Sequence, residues 1–179
     1  GNPTPDSNDN RHNIGFKIID AINQKFSLSK QKPKFKGLLT TGNISNKKVY
    51  AIKPLTFMNN SGICIRELIE YFKINAEDVI VFHDDLDIGF TKIKAKFGGS
   101  SAGHNGIASI DKFIGKEYCR VRVGIGKPDS KIEVSDFVLT NFTDEEKIKL
   151  EKVVKNIIES IPILIDKKLD LFSSTVNNK

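Results

Sequence analysis

Three histidines are the side chains of this sequence best suited to chemistry near neutral pH. Each is followed at once by an amide or a carboxylate, in the pairs His12-Asn13, His83-Asp84 and His104-Asn105. A histidine that a carboxylate orients can take a proton from water or from a hydroxyl group. All three lie at the edges of predicted elements, and His83-Asp84 closes a buried strand, where α/β sheets bind ligands. This arrangement favours a functional site over three unrelated surface histidines.

Metal binding is the first alternative use of these residues. The segment 83–87 (HDDLD) has ligand types, but the sequence has no second cluster with metal-ligand spacing. Solvated carboxylates in a turn at the end of the strand explain this acidic run better. We therefore predict no catalytic metal and no other cofactor.

A serine nucleophile is the second alternative. Residues 99–103 read GSSAG, a G-x-S-x-G pattern between a predicted strand and a predicted helix, the context of a nucleophile elbow. In α/β-hydrolases the histidine follows the serine and the acid, whereas here only His104 follows Ser101. A flexible connection explains the same pattern, and a P-loop is weaker because no Gly-Lys-Ser/Thr follows. Ser101 stays open as an alternative nucleophile.

The composition limits the class of protein. The chain has 179 residues, 39% of them hydrophobic, with 28 basic and 22 acidic side chains, a net charge of +6 and a pI near 9.2. These values are typical of one soluble globular domain, and the charge favours a polyanionic partner. No stretch is long and apolar enough for a membrane span, and no secretory signal opens the chain. Since Cys64 and Cys119 are isolated, we expect a cytoplasmic protein.

Two basic rows indicate contact with a phosphate backbone. Lys92, Lys94 and Lys96 alternate along one strand face before the glycine-rich loop, and Arg120 and Arg122 share a face of another strand. The sequence has no tryptophan and three tyrosines, so it offers no ladder for stacking single-stranded bases. Contact with phosphates alone suits an RNA duplex stem or a strand end.

The periodicity of apolar residues predicts the elements that hold these side chains. It predicts helices over 13–26, 60–72, a short segment ending near 113, and a long segment from 143 towards 166 with a kink at Pro162. It predicts strands over 35–41, 49–53, 79–82, 91–97 and 118–125, the first two forming a hairpin that turns near 42–43. We expect a capping box at Thr143 and Glu146, and fraying over 173–179. The sum is a single three-layer α/β domain over 1–179, with a mixed sheet flanked by helices.

Six segments in order resemble the bacterial peptidyl-tRNA hydrolase family. They are residues 1–3 (GNP), 11–16 (RHNIGF), 53–62 (KPLTFMNNSG), 83–87 (HDDLD), 103–106 (GHNG) and 120–126 (RVRVGIG). Each motif alone is modest, but six in the family's order are specific, and together they span essentially the whole chain.

The resemblance implies an esterase that cleaves the bond between a peptide and the terminal ribose of tRNA, recycling tRNA from aborted translation. By the family's pattern, His12 is the general base on water, and Asp84 accepts a hydrogen bond from its other nitrogen. The resemblance implies no metal and no cofactor. The expected partner is peptidyl-tRNA, bound at its acceptor stem and 3′ end, with no membrane partner. A monomer is the default expectation for the oligomeric state.

The resemblance also implies which residues bind the substrate. Five line the pocket (Asn2, Met58, Asn59, His104 and Asn105), and two clamp tRNA phosphate (Lys96 and Arg122). An asparagine NH₂ group can stabilise the oxyanion of ester attack without titrating, and its oxygen can hold peptide N–H groups, which favours N-blocked substrates. Met58 is equally consistent with a place in the core.

The sequence departs from the family's pattern at its amino end and in one loop. The family's first strand would precede Gly1, so we expect the domain over 1–179 to lack that strand. Thr4, Ser7 and Ala102 differ from the residues that the family usually carries. These differences concern the shape of the entrance loop more than the chemistry.

An RNA-binding relative that has lost hydrolysis is the non-enzyme alternative. Such a chain has no need of His12 or Asp84, and both are present. We therefore expect an enzyme, and we place a nonspecific serine esterase third.

Overall fold

A computed structural model describes residues 1–128 and 131–179. The helices of these ranges are α1 (Ile14–Lys25), α2 (Ser61–Phe72), α3 (Asn105–Ile114), α4 (Val134–Phe137), α5 (Asp144–Glu159), α6 (Ile161–Ile165) and α7 (Leu169–Asn177). The strands are β1 (Lys32–Lys34), β2 (Gly37–Ile44), β3 (Lys47–Pro54), β4 (Ile80–Asp85), β5 (Ile93–Phe97) and β6 (Cys119–Gly124). The predicted α/β class is confirmed, while β1, α4 and α7 were not predicted.

The strands form two three-stranded sheets where the sequence predicted one. In the first, β2 lies between β1 and β3, and all pairs are antiparallel. In the second, β6 lies between the parallel β4 and the antiparallel β5, so this sheet is mixed as expected. The carboxyl ends of β4 and β6 therefore lie side by side, which is where such sheets position ligands.

Helices cover both faces of the mixed sheet, giving the predicted three layers. On one face, α1, α5, α6 and α7 bury a large apolar core that includes Ile18, Val121 and Phe172. On the other, α2 and α3 enclose a smaller cluster around Ile110 and Tyr118. Each such side chain contributes about 1.5–3 kcal/mol by leaving water, so the sheet is a firm support for residues at its ends.

The hairpin turns later than predicted. Ser45 and Asn46 both have positive φ, 51° and 61°, and form a two-residue turn between β2 and β3. Gly42 instead lies inside β2, where a Cβ atom would come within 2.5 Å of Leu28. The glycine that indicated a turn is thus explained by close packing.

The carboxyl-terminal part is more ordered than the sequence predicted. The capping box of Thr143 and Glu146 opens α5 as expected. That helix ends at Glu159, however, and Pro162 lies in the first turn of the separate helix α6. The expectation of fraying over 173–179 was wrong, because residues up to Asn177 are helical and Val176 is buried.

A cavity of about 740 Å³ lies between the two sheets. Apolar side chains of β3 and β4 line it, including Val49, Ala51, Ile80 and Phe82. Among the described residues, β3 and β4 do not pair with each other, and each of these cavity-lining strands is an open edge of its own sheet. One end of the cavity reaches Gly1 and the histidines.

Candidate active site

His12 lies in a single 3₁₀ turn, Arg11–Asn13, directly before α1. Its backbone N–H donates to the carbonyl of Val138 at 2.9 Å. The neighbouring Arg11 is buried and donates to both carboxylate oxygens of Glu146, at 2.9 and 2.7 Å. A bidentate ion pair of this kind is among the strongest polar contacts available, so it fixes the turn that carries His12. This use of Arg11 was not predicted from the sequence.

Asp84 lies at the end of β4 and contacts the His12 ring. His12 Nδ1 donates to Asp84, 2.8 Å from Oδ1 and 2.9 Å from Oδ2. Since an ionised carboxylate only accepts, Nδ1 carries the proton and Nε2 of the neutral ring has a free lone pair. Burial would raise the pKa of Asp84, but the N–H groups of His104 and His12 outweigh burial and hold that pKa well below its usual range. The carboxylate is therefore ionised.

His104 also binds Asp84 while it caps α3. Its Nδ1 accepts from the backbone N–H groups of Gly106 and Ile107, at 3.1 and 3.2 Å. Its Nε2 lies 2.9 Å from Asp84 Oδ1 and must be the donor. Both ring nitrogens are thus engaged inside the protein, and the predicted contact of His104 with the substrate stays a prediction.

His83 is a packing partner of this cluster. It is buried, and its Nδ1 lies 2.7 Å from the carbonyl oxygen of Asp84. Its ring meets that of His104 edge to face at 5.0 Å. Burial lowers the pKa of His83 to about 4, which keeps the ring neutral.

Asn2 and Met58 form the wall beside the histidines. Asn2 Oδ1 accepts from the backbone N–H of Met58 at 3.0 Å, which leaves its NH₂ group as the free end. The fully buried Asn13 binds the backbone of Asn2 on both sides. Met58 is buried and lines the cavity near Gly106. This role of Asn13 was not predicted from the sequence, where its one signal was its position directly after His12.

Asn59 and Asn105 are exposed; Asn59 directly follows Met58, and Asn105 directly follows His104. Asn59 belongs to the turn Met58–Asn60 that leads into α2, and Asn105 is the first residue of α3. The turn and α2 pack against α3, and the N–H of Gly62 donates to Ser109 Oγ at 3.0 Å. Two amide side chains therefore lie at neighbouring helix starts.

Comparison with known proteins decides the family. The model of the family described as peptidyl-tRNA hydrolase matches residues 1–179. The chain belongs to the peptidyl-tRNA hydrolase family. It is 79% identical over 179 residues to the peptidyl-tRNA hydrolase of Pelagibacter ubique, covering all of this chain and 96% of that one. It is 43% identical over 178 residues to that of Ehrlichia canis, covering 99% and 91%.

A solved structure agrees with this membership. The crystal structure of peptidyl-tRNA hydrolase from Acinetobacter baumannii matches with a TM-score of 0.92 and 31% identity, covering 99% of this chain and 91% of that one. The expected family, α/β fold and enzyme class are thus confirmed, and the chain is a hydrolase. Across the described residues, no helix has both the length and the apolar character that a bilayer crossing requires.

The basic residues predicted to contact tRNA phosphate in this peptidyl-tRNA hydrolase family member differ in their exposure to solvent. Lys96 is half-buried on β5, and Arg122 on β6 donates from Nε to Asp85 at 2.7 Å. Arg120 is 1% exposed and donates to Asp111 at 2.7 Å. We expected Arg120 to belong to a row of side chains that contact phosphate. That prediction was wrong, because Arg120 is buried and paired with the carboxylate of Asp111 on α3.

The two alternative chemistries are less well supported. Ser101 lies in the loop before α3, and in the described part of the chain no histidine nitrogen bonds its hydroxyl. His12, Asp84 and His104 offer metal-ligand atoms within 4.8 Å of one another. Their nitrogens lie at hydrogen-bond distances from Asp84, however, and His104 Nδ1 is already held by two N–H donors. The geometry suits a shared carboxylate better than a metal ligand set.

Proposed function

We propose that this chain hydrolyses the ester between an N-blocked peptidyl group and the 3′-terminal ribose of tRNA, with His12 as general base on water. Family membership over the whole chain supports the reaction. The contact of His12 Nδ1 with the ionised Asp84 carries the mechanism, because it leaves Nε2 free to accept a proton.

The proposed reaction has two steps. His12 Nε2 takes a proton from water as the water oxygen bonds to the ester carbonyl carbon, and the carbonyl oxygen becomes an oxyanion. Asp84 stabilises the imidazolium that forms. The tetrahedral intermediate then collapses, the bond to the ribose oxygen breaks, and that oxygen takes the proton from His12. Peptide acid and free tRNA leave, and His12 is neutral again.

Asparagine side chains would hold the reacting groups. The fixed Asn2 offers only its NH₂ group, which suits a carbonyl oxygen or the oxyanion. The exposed Asn59 and Asn105 offer both donors and acceptors, so their oxygens can receive peptide N–H groups that a free aminoacyl ester lacks. Met58 would contribute an adaptable apolar wall.

Lys96 and Arg122 would bind tRNA phosphate at the acceptor stem and 3′ end. Removing one phosphate contact should lower the slope of log affinity against log salt by about 0.7–0.9. Lys96→Ala should therefore raise KM for tRNA substrates at low salt and leave turnover of a short 3′-end fragment unchanged. An unaltered salt slope would contradict this assignment. We propose a monomer in the cytoplasm, which sedimentation at micromolar concentration and cell fractionation would test.

Release of tRNA from N-acetyl-aminoacyl-tRNA tests the proposed mechanism. His12→Ala should lower kcat by about three orders of magnitude while tRNA binding persists. Ser101→Ala is the matched control and should keep most activity. If His12→Ala were as active as the parent chain, His12 would not be the general base. If only Ser101→Ala lost activity, the result would favour a serine esterase. If the parent chain bound tRNA but did not hydrolyse the ester, the result would favour an RNA-binding relative that has lost hydrolysis.

We also propose that an extended segment preceding Gly1 fills the cavity between the sheets. The open edges of β3 and β4 flank that cavity with apolar side chains. Burial lowers the pKa of the Gly1 amino group to about 5, against the attraction of Asp84, and a peptide bond there would carry no charge. A chain that includes this upstream segment should have a higher Tm, and the backbone amides of β3 and β4 should exchange hydrogen more slowly. Unchanged exchange would contradict the proposal.

A further inference from the structure

The Asp84 carboxylate is shared between two imidazole rings. Oδ1 lies 2.8 Å from His12 Nδ1 and 2.9 Å from His104 Nε2. Asp84 is 3% exposed, so in the described residues these rings supply its side-chain contacts in place of water. A hydrogen bond stabilises the charged form of a carboxylate, so two donors on one oxygen share the same negative charge.

His104 cannot change its protonation without breaking the start of α3. Two backbone N–H groups, of Gly106 and Ile107, point at Nδ1, which must keep its lone pair to accept them. The single ring proton therefore stays on Nε2, where it faces Asp84. The helix cap thus fixes the tautomer of His104.

We propose that His104 is a positioning residue that tunes His12 through Asp84. The inference rests on the proposed role of His12 as general base. A buried carboxylate devoted to His12 alone would favour the imidazolium in the resting enzyme, and an imidazolium cannot accept a proton from water. By donating to the same oxygen, His104 weakens that preference and holds Asp84 in one rotamer. His12 Nε2 then stays available to accept a proton from water, and Asp84 still stabilises the imidazolium that forms.

Other titratable groups surround this cluster and would be common to every variant compared. They are the Gly1 amino group, His83, Asp85 with its partner Arg122, and Arg11 with its partner Glu146. Among the described contacts, none of these groups bonds either ring nitrogen of His104. A change at residue 104 therefore reports on the contact with Asp84 and on the helix cap.

Two substitutions separate the roles of the two nitrogens. In His104→Asn, the side-chain amide takes the position of Nδ1. The variant therefore keeps the helix cap, since Asn is a preferred N-cap residue. Its side chain is too short to reach Asp84. The amide of His104→Gln lies where Nε2 lies, so it can still donate to Asp84 but gives up the cap.

The expected results differ between the variants. For His104→Asn, the acid limb of the kcat/KM profile should move up by about one pH unit, with kcat lowered about tenfold and KM unchanged. For His104→Gln, the acid limb should stay near that of the parent chain, while Tm falls because the cap is lost.

Three outcomes would overturn the proposal. A rise in KM alone would mean that His104 binds the substrate. An unmoved acid limb in His104→Asn would mean that it does not act on His12. If both variants lost activity equally and in proportion to their fall in Tm, His104 would have a structural role only. NMR titration of the His12 ring in the free protein needs no activity, so it distinguishes failure of this proposal from failure of the proposed reaction.

Discussion

Asn13 holds Asn2 by two hydrogen bonds that run in opposite directions. Its Oδ1 accepts from the backbone N–H of Asn2 at 2.7 Å, and its Nδ2 donates to the carbonyl of Asn2 at 2.9 Å. The residue next to His12, the proposed general base, therefore also fixes the segment that carries Asn2. In one short motif, Arg11-His12-Asn13, the first residue anchors the turn of His12 to Glu146 and the last residue anchors Asn2.

Asn13→Ala should lower kcat/KM about 10- to 100-fold, because misplacing a substrate-positioning group by 1 Å costs about that much. The side chain of Asn2 would lose its fixed place while His12 and Asp84 keep theirs. Steady-state release of tRNA measures the effect, with the exposed Asn8→Ala as control. A kcat/KM equal to that of the control would contradict the link between the two asparagines.

Gly15 sets how closely α1 approaches β4. A Cβ atom there would lie 2.5 Å from the carbonyl oxygen of Phe82, a backbone atom that cannot turn aside. Gly15→Ala should cost about 1–3 kcal/mol and move His12 away from Asp84, so activity should fall more than stability alone explains. Gly89→Ala is the control, since a Cβ atom there meets only Lys92, at 3.7 Å. Equal Tm values for the two variants would contradict this view.

Local patterns in the sequence were sufficient for most elements of the fold. The apolar spacing over 13–26 and 60–72 predicted α1 and α2 to within a residue or two, because an amphipathic helix carries its own signal. The capping box at Thr143 was likewise readable, since its partners are three residues apart. Helix α7 was missed because it is short and its polar residues bond β5 instead of water.

Contacts between distant residues set the limit of prediction at the site. The sequence placed Arg120 and Arg122 on one face of β6 correctly, but it could not show that Asp111 of α3 lies beside Arg120. His104 gave the same difficulty, because its contact with Asp84 joins residues 20 positions apart. The division of the strands into two sheets is also a long-range property, which alternation along one strand does not report.

The ion pair of Glu146 with Arg11 should make stability depend on pH. Burial would raise the pKa of Glu146, but Arg11 and the N–H of Thr143 outweigh burial and bring that pKa below its ordinary 4.5. A group with a lowered folded-state pKa stabilises the fold above its unfolded value, and this stabilisation is lost as pH falls through the folded value. The pair should therefore contribute fully at pH 7 and progressively less below about pH 4.5.

Urea unfolding of Glu146→Gln at several pH values measures this contribution. At pH 7 the variant should be about 1–3 kcal/mol less stable, because the buried Arg11 loses a charged partner. The difference should shrink as the pH falls below the ordinary carboxyl range. The exposed Glu151→Gln on the same helix is the matched control. A difference independent of pH would show that the charge of Glu146 is not what holds Arg11.

The side chain of Asn177 pairs with the outer edge of β5 as a neighbouring strand would. Its Oδ1 accepts from the N–H of Ile93 at 2.9 Å, and its Nδ2 donates to the carbonyl of Ile93 at 2.8 Å. Ser173 Oγ accepts from the N–H of Ala95 at 2.8 Å. An open edge strand otherwise exposes unpaired backbone groups, so α7 protects the strand that carries Lys96.

Asn177→Ala should therefore loosen β5 from its outer side. The backbone groups of Ile93 would lose both partners on α7, at a cost of about 1–3 kcal/mol, and the Ile93 amide should exchange hydrogen much faster. Because β5 carries Lys96, KM for tRNA substrates should also rise, while turnover of a short 3′-end fragment stays the same. Asn178→Ala, one residue further along and exposed, is the control. If the Ile93 amide exchanged equally slowly in both variants, water or a neighbouring group would be replacing the amide, and α7 would not be the element that protects this edge.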